Sequence, residues 1–357
     1  MGAHHGHILR ILRDAGPLSR AELARRSALS ATTLTHVTAR LIRDGAVIGR
    51  GPAQAGLGRP GHALALAQDS RQIAGVHIGA GAAQIAITDL RAEPRAFAQF
   101  EFDAAAAEPQ ALVARVMQTV RDLCAEIQID ARKLIGVGVG FPGPVDAARR
   151  GALASINLGF RDADLAARFE DALGVRCALE HNVTAMALAE SRFGVGRNVA
   201  ALLYVYLRAG LGAGLVVDGS PFRPGGHGAV ELGHIQIDRS GPRCACGNTG
   251  CLEAFVCERA LMEAAGLDAA PGEPLLARVA AHGEAFERVA GHLTTGLASA
   301  VNLLAPDLIV FGGHLGEAPE SLLQRLAGDL PPRVMPHMRA HLKLARSRFG
   351  WRAGAIG

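Results

Sequence analysis

Lysine is almost missing from this chain: of 357 residues only Lys133 and Lys343 are lysine, and the rest of the basic charge is arginine. That bias carries no functional reading. No apolar run reaches the roughly 18 residues needed to span a bilayer, which excludes a transmembrane helix from the expectation. No basic segment followed by an apolar core opens the chain, and the six cysteines (Cys124, Cys177, Cys244, Cys246, Cys251, Cys257) are unevenly spaced. Secretion and a disulfide framework are therefore not expected, and the chain reads as cytoplasmic. At this length, with 49% apolar residues, more than one core is expected.

Three of the cysteines cluster with a histidine. His234, Cys244, Cys246 and Cys251 fall within eighteen residues, and one imidazole with three thiolates makes a complete tetrahedral zinc shell. Gly247 and Gly250 allow the backbone to fold back between the sulfurs. A filled shell has no position for water, so the metal is expected to be structural. The alternative is a group of reduced, buried thiols.

Charge separates one end from the rest. Residues 1–66 hold nine arginines against three acids, a net of +6, whereas the other 28 bases and 30 acids leave −2. A basic head on a near-neutral body suggests a nucleic-acid partner. The head is punctuated like a winged helix-turn-helix. His7–Asp14 carries Ile8, Leu9, Ile11 and Leu12 on a helical stripe that stops at Gly16-Pro17. Ser19 and Glu22 form a capping box for a second helix to about Arg26, with Ala21, Leu23 and Ala24 turned inward. Ser30 caps a third helix that ends at Asp44-Gly45. Thr32, Thr33, Thr35, His36 and Arg40 lie on that third helix as candidate contacts to bases and phosphates, with Leu34, Val37 and Leu41 facing the core. Residues 46–48 and 62–66 read as wing strands, and Arg50 and Arg59 are candidate DNA contacts, Arg59 as a minor-groove probe. A three-helix interaction module whose arginines only keep it soluble is the competing reading.

Beyond residue 70 the chain alternates strand and helix, with glycine turns at strand ends: Ile73–Gly79 into Ala83–Ile87, Leu134–Val139 into Gly140-Phe141-Pro142-Gly143-Pro144, Ala201–Leu207 into Gly210–Gly219, and Pro306–Gly313. Such turns can present amides to phosphate or merely let backbones pack closely.

These pieces, in this order, resemble the ROK family of bacterial repressors and sugar kinases along nearly the whole chain. The most specific match is Glu231-Leu232-Gly233-His234 followed by Cys244-Ala245-Cys246-Gly247-Asn248-Thr249-Gly250-Cys251-Leu252-Glu253. The resemblance implies an α/β architecture, a winged helix-turn-helix at 1–66 and a two-lobed hexokinase- or actin-like (ribonuclease H-like) body. The first lobe is expected over 72–185 with the C-terminal segment 345–357, and the second, with the zinc loop, over 186–344. It implies zinc on His234, Cys244, Cys246 and Cys251, and a sugar cleft reached by Asn157, Glu231, Glu253 and the second nitrogen of His234, with His181 and Asn182 beside them.

Two departures separate this chain from the family's kinases. Where they read Glu-Asn-Asp, with the aspartate as general base, it has Glu180-His181-Asn182, and an amide cannot take the proton. Where they read Asp-x-Gly-Gly-Thr it has His77-Ile78-Gly79-Ala80-Gly81, lacking the metal-binding carboxylate. The expectation is a sugar-responsive transcriptional regulator with no catalytic residue, binding operator DNA as a homodimer or dimer of dimers. The alternatives are a zinc-containing sugar kinase with an accessory DNA-binding head, and a regulator that answers to a protein partner.

Overall fold

The computed structural model describes residues 3–52, 62–155, 158–223, 225, 229–268 and 273–357. The head runs α1 (Ala3–Ala15), β1 (Leu18–Ser19), α2 (Arg20–Ser27), α3 (Ala31–Arg43), β2 (Val47–Pro52) and β3 (His62–Leu66), with strand order β1-β3-β2. Both N-caps form as expected: Ser19 Oγ accepts from Glu22 N–H at 3.2 Å, and Ser30 Oγ from Thr33 N–H at 3.1 Å. The Glu22 carboxylate, however, turns to Arg26 at 2.7 Å and to Arg25 instead of completing the capping box. Gly45, at φ +72°, ends α3. Ile8, Leu12, Leu23, Leu34, Leu41, Val47 and Leu64 build the head's core, while Ala21, expected to face inward, is exposed.

The body repeats one topology twice. In the first lobe, β4 (Ile73–Ile78), β5 (Ala82–Thr88) and β6 (Pro94–Glu101) form an antiparallel meander. After α4 (Pro109–Glu126) come β7 (Val137–Phe141), the small β8–β9 pair (Ala152–Ala154, Arg161–Ala163), α5 (Leu165–Leu173) and β10 (Cys177–His181). Strands β7 and β10 add in parallel beyond β4, giving the order β10-β7-β4-β5-β6. Helix α6 (Asn182–Phe193) leads to the second lobe. There β11 (Ala201–Leu207), β12 (Leu211–Val217) and β13 (Ser220–Pro221) form the matching meander. Helices α7 (Leu252–Val256), α8 (Glu258–Ala265), α9 (Leu275–Ala280) and α10 (Gly283–Leu304) precede β14 (Leu308–Gly313). Then follow α11 (Glu320–Asp329), α12 (Pro336–Arg339), β15 (Lys343–Arg346) and α13 (Ala353–Ile356), with β14 and β15 parallel beyond β11.

The two lobes meet at α6, which is buried along most of its length between β12 and α13. Gly214 makes this approach possible, because a Cβ there would lie 2.5 Å from the Val183 carbonyl oxygen. The expected lobe boundary at 185/186 therefore falls inside one helix that both lobes share. The C-terminal segment is likewise divided, with β15 in the second sheet and α13 against α6 and β4. Fully buried Glu190 anchors that segment, accepting from Ser347 Oγ at 2.6 Å and Phe349 N–H at 3.1 Å. Leu90 of the body packs on the head's core, and Arg197 donates to the Asp14 carbonyl at 3.3 Å. Among the described residues no helix is long and apolar enough to cross a membrane.

Candidate functional site: cleft, metal loop and recognition helix

The segment between β13 and α7 folds around its own glycines. Gly247 and Gly250 take φ +94° and +70°. Cys244 N–H bonds Asn248 at 2.8 Å, Gly250 N–H bonds Pro242 at 2.8 Å, and Leu252 N–H bonds Ile235 at 2.9 Å. One ligand atom from each of His234, Cys244, Cys246 and Cys251 then lies within 4.8 Å of all the others. Cys246 Sγ and Cys251 Sγ are 3.8 Å apart, and Cys244 Sγ is 3.6 Å from His234 Nδ1. Tetrahedral ligands about 2.3 Å (sulfur) and about 2.0 Å (nitrogen) from one centre would be separated by roughly these spans. The donor set could hold a metal ion, and His234 turns its Nδ1 toward Cys244 Sγ within that cluster.

His234 also lines a cleft of about 390 Å³ between the lobes. The first lobe contributes His77, the Pro142–Pro144 turn, His181 and Asn182; the second contributes Arg208, the Gly210–Gly212 turn, Glu231 and Glu253. Glu253 is held firmly: its Oε2 accepts from Leu211 N–H at 2.9 Å, and its Oε1 lies 3.7 Å from Cys244 Sγ. It thus joins the cleft to the metal loop. Glu231 is exposed to the cleft and shares a field with His181, opposing the burial that pulls that imidazole's pKa down. Asn182 is buried at the start of α6, with its Oδ1 accepting from Val183 N–H at 2.8 Å. His77, fully enclosed and facing the Arg208 charge, is pushed down to about 4 and is a neutral ring at physiological pH. Neither can replace the carboxylates that phosphoryl transfer uses for proton removal and for the nucleotide's metal. Asn157 lies outside the described residues.

At two of the glycine turns the packing role is visible. A Cβ on Gly212 would meet Val183, and one on Gly312 would overlap Tyr204. Sequence reasoning missed Arg208, the cleft's cation, because nothing local sets it apart from the other arginines. It also missed the interlobe ion pair between buried Glu180 and Arg223.

On the head, Thr32, Thr35, His36 and Arg40 are exposed on α3, and Thr33 is half-buried. Two of the threonines are already engaged: Thr33 Oγ1 shares a hydrogen bond with Ser30 Oγ at 2.8 Å, and Thr35 Oγ1 donates to the Ala31 carbonyl at 2.8 Å. Thr32, His36 and Arg40 are the better placed to reach outward, although Arg40 lies 3.8 Å from Asp44. Arg50 is exposed on β2; Arg59 lies outside the described residues.

Fold and site together define a winged helix-turn-helix head on a duplicated, kinase-like body with a loop whose histidine and three cysteines could hold a metal ion. The ROK family matches residues 73–357, and winged helix-turn-helix DNA-binding matches residues 3–48. The chain belongs to the ROK family. It is 27% identical, over 98% of its length and 89% of the relative's, to the DNA-binding transcriptional dual regulator NagC of Escherichia coli K12. To a putative xylose repressor of Caldicellulosiruptor it is 26% identical over 98% of this chain and 92% of that one. Among solved structures, a ROK family transcriptional regulator homologous to E. coli Mlc superposes with a TM-score of 0.84 at 25% identity, covering 99% of this chain and 93% of that one. A ROK glucokinase from Streptomyces griseus, solved with glucose and AMPPNP, shares the fold of the body alone: TM-score 0.67, 23% identity, 80% of this chain and 97% of that one. These two relatives and the Mlc homologue match over nearly the whole chain and are named as transcriptional regulators or repressors, whereas the glucokinase leaves a fifth of the chain unmatched.

Proposed function

We propose that the protein is a sugar-responsive transcriptional repressor that binds operator DNA as a dimer, with zinc as a structural ion on His234, Cys244, Cys246 and Cys251. The carrying observation is the union of an exposed polar face on α3 with a cleft lined by Glu231, His234 and Glu253 that has His77 and Asn182 where the family's kinases carry carboxylates. Zinc suits three thiolates and an imidazole. When bound it would fix the loop that carries His234 and Glu253, so that these groups and Glu231 meet sugar hydroxyls in a set geometry. Asn157 and His181 complete the proposed sugar set. Thr32, Thr33, Thr35, His36, Arg40, Arg50 and Arg59 are the proposed DNA contacts.

A ligand changes operator binding only if it favours one arrangement of the heads over another. The units of that change are the head, residues 1–66, and the two lobes on either side of the shared α6, with the cleft between the lobes. Closure on sugar would draw His181 and Asn182 toward Glu231 and Glu253, and α6, shared by both lobes, would carry the movement toward the head.

The test is fluorescence anisotropy on the protein's own promoter DNA with a panel of sugars. A releasing sugar should bind Glu231→Ala tenfold or more weakly, since a hydroxyl left without its partner costs about 1–3 kcal/mol, while sugar-free operator affinity stays within about twofold. Glu253→Ala should lose sugar affinity and thermal stability together, because its carboxylate also ties Leu211 to the metal loop. If no sugar alters DNA binding, or Glu231→Ala responds like the wild type, the sugar-sensing reading fails.

Catalysis offers a separate check. In a coupled ADP-release assay neither the wild type nor Asn182→Asp should turn over any sugar with ATP and Mg²⁺, since one restored carboxylate leaves His77 in place. Turnover on the order of 1 to 100 per second would establish a kinase instead.

A further inference from the structure

A recess of about 890 Å³ lies where the head meets the second lobe, and neither the sugar cleft nor the DNA face includes it. Its walls are α1, the end of α2, the end of α6 with the loop after it, and the β12–β13 turn. Five arginines line it: Arg10 and Arg13 from α1, Arg26 from α2, and Arg192 and Arg197 from the body. Only two carboxylates, Asp14 and Asp218, face them, and Asp14 is already paired with Arg13 at 2.6 Å. Arg26 is held by Glu22 at 2.7 Å.

The other three cations have no acid within ion-pair distance among the described residues. Arg192 and Arg197 reach only backbone carbonyls, Gly219 at 3.5 Å and Asp14 at 3.3 Å. Burial first, then Arg13, lowers the pKa of Arg192; Asp14 opposes the shift, and Arg10 and Arg149 add to it. Folding has therefore brought three cations without an acid partner to one concave space, Arg192 half-buried and Arg10 and Arg197 exposed. Positive potential focused in a concavity raises the local concentration of anions.

We propose that this recess binds a compact oligophosphate that bridges the head and the second lobe. Guanidinium forks match phosphate oxygens in bidentate geometry, and several converging on one cavity select a ligand with several negative charges in a short span. Among the described residues His7 is the only ring on its walls, and none of them offers an aromatic platform for a nucleobase. No residue of α3 or β2 lines it, which sets it apart from the surface that meets an operator backbone. An anion held by Arg10 on one side and by Arg192 and Arg197 on the other would fix the head against the body.

The probe is sodium tripolyphosphate, titrated into the full chain at constant ionic strength with sodium sulfate and sodium chloride as controls, read by thermal shift and calorimetry. Expected is saturable binding with half-saturation below about 1 mM and a rise in melting temperature of a few degrees. Arg192→Gln/Arg197→Gln should weaken it at least tenfold, while Arg259→Gln and Arg339→Gln, outside the recess, leave it unchanged. If circular dichroism shows the double variant unfolded, Arg10→Gln replaces it, with a loss of at least threefold expected. Absence of saturation, a response no greater than that to sulfate, or equal losses in the outside variants would overturn the proposal. So would displacement of tripolyphosphate by a random-sequence duplex, with Arg10→Gln losing duplex affinity in step, because the recess would then be holding DNA backbone.

Discussion

Cys251→Ser is expected to strip the protein of its metal and of much of its stability. Cys251 is fully buried, its sulfur 3.8 Å from that of Cys246, and its backbone pairs with Gln236 across the loop. A hydroxyl is a poor ligand where three thiolates and an imidazole close the shell. Structural zinc contributes on the order of 10 kcal/mol of apparent binding free energy in small domains, and at the proposed site part of that would hold an otherwise irregular segment of eighteen residues. Metal analysis should give about one zinc per wild-type chain and less than about a tenth of that in the variant, with a melting temperature roughly 5–10 °C lower. Because Glu253 connects the loop to the cleft, sugar affinity should fall with the metal. Unchanged metal content would show that the four residues are only clustered thiols.

Gly250→Ala should be nearly as damaging, and Gly247→Ala should not. Both glycines sit in the same loop at positive φ, where a side chain costs about 1–2 kcal/mol. Their surroundings differ: a Cβ at Gly250 would collide with the backbone carbonyl of Asp238, whereas at Gly247 nothing lies within 4 Å. Backbone cannot swing aside as the end of a long side chain can. Gly250→Ala should therefore lose roughly 4 kcal/mol or more and most of its metal, and Gly247→Ala about 1 kcal/mol with metal retained. Chemical denaturation with parallel metal analysis tests both. Equal losses would mean that backbone angle alone, and not the close approach, makes Gly250 a glycine.

Those two glycines mark where sequence reasoning succeeded and where it stopped. Ligand chemistry is local: four metal-binding residues within eighteen positions, with glycines between them, predict the loop before any fold is known. Capping is local too, so Ser19 and Ser30 predict the starts of α2 and α3 to the residue. The head's charge, the alternation of strands and helices, and the missing carboxylates at His77 and Asn182 are likewise properties of the string.

Everything that depended on distant segments meeting was left to the tertiary structure. Whether a glycine binds phosphate or admits a helix is settled by what approaches it, and Gly212 and Gly214 face α6, about thirty residues earlier in the chain. Glu22 leaves its capping box for two arginines because an ion pair on an exposed helix turn competes with one weak hydrogen bond. Arg208 becomes the cleft's cation, and Arg10, Arg192 and Arg197 become neighbours, only when the lobes and the head are assembled. Periodicity and spacing act over a few residues, whereas charge and steric contact act over a few ångströms, whatever the separation along the chain.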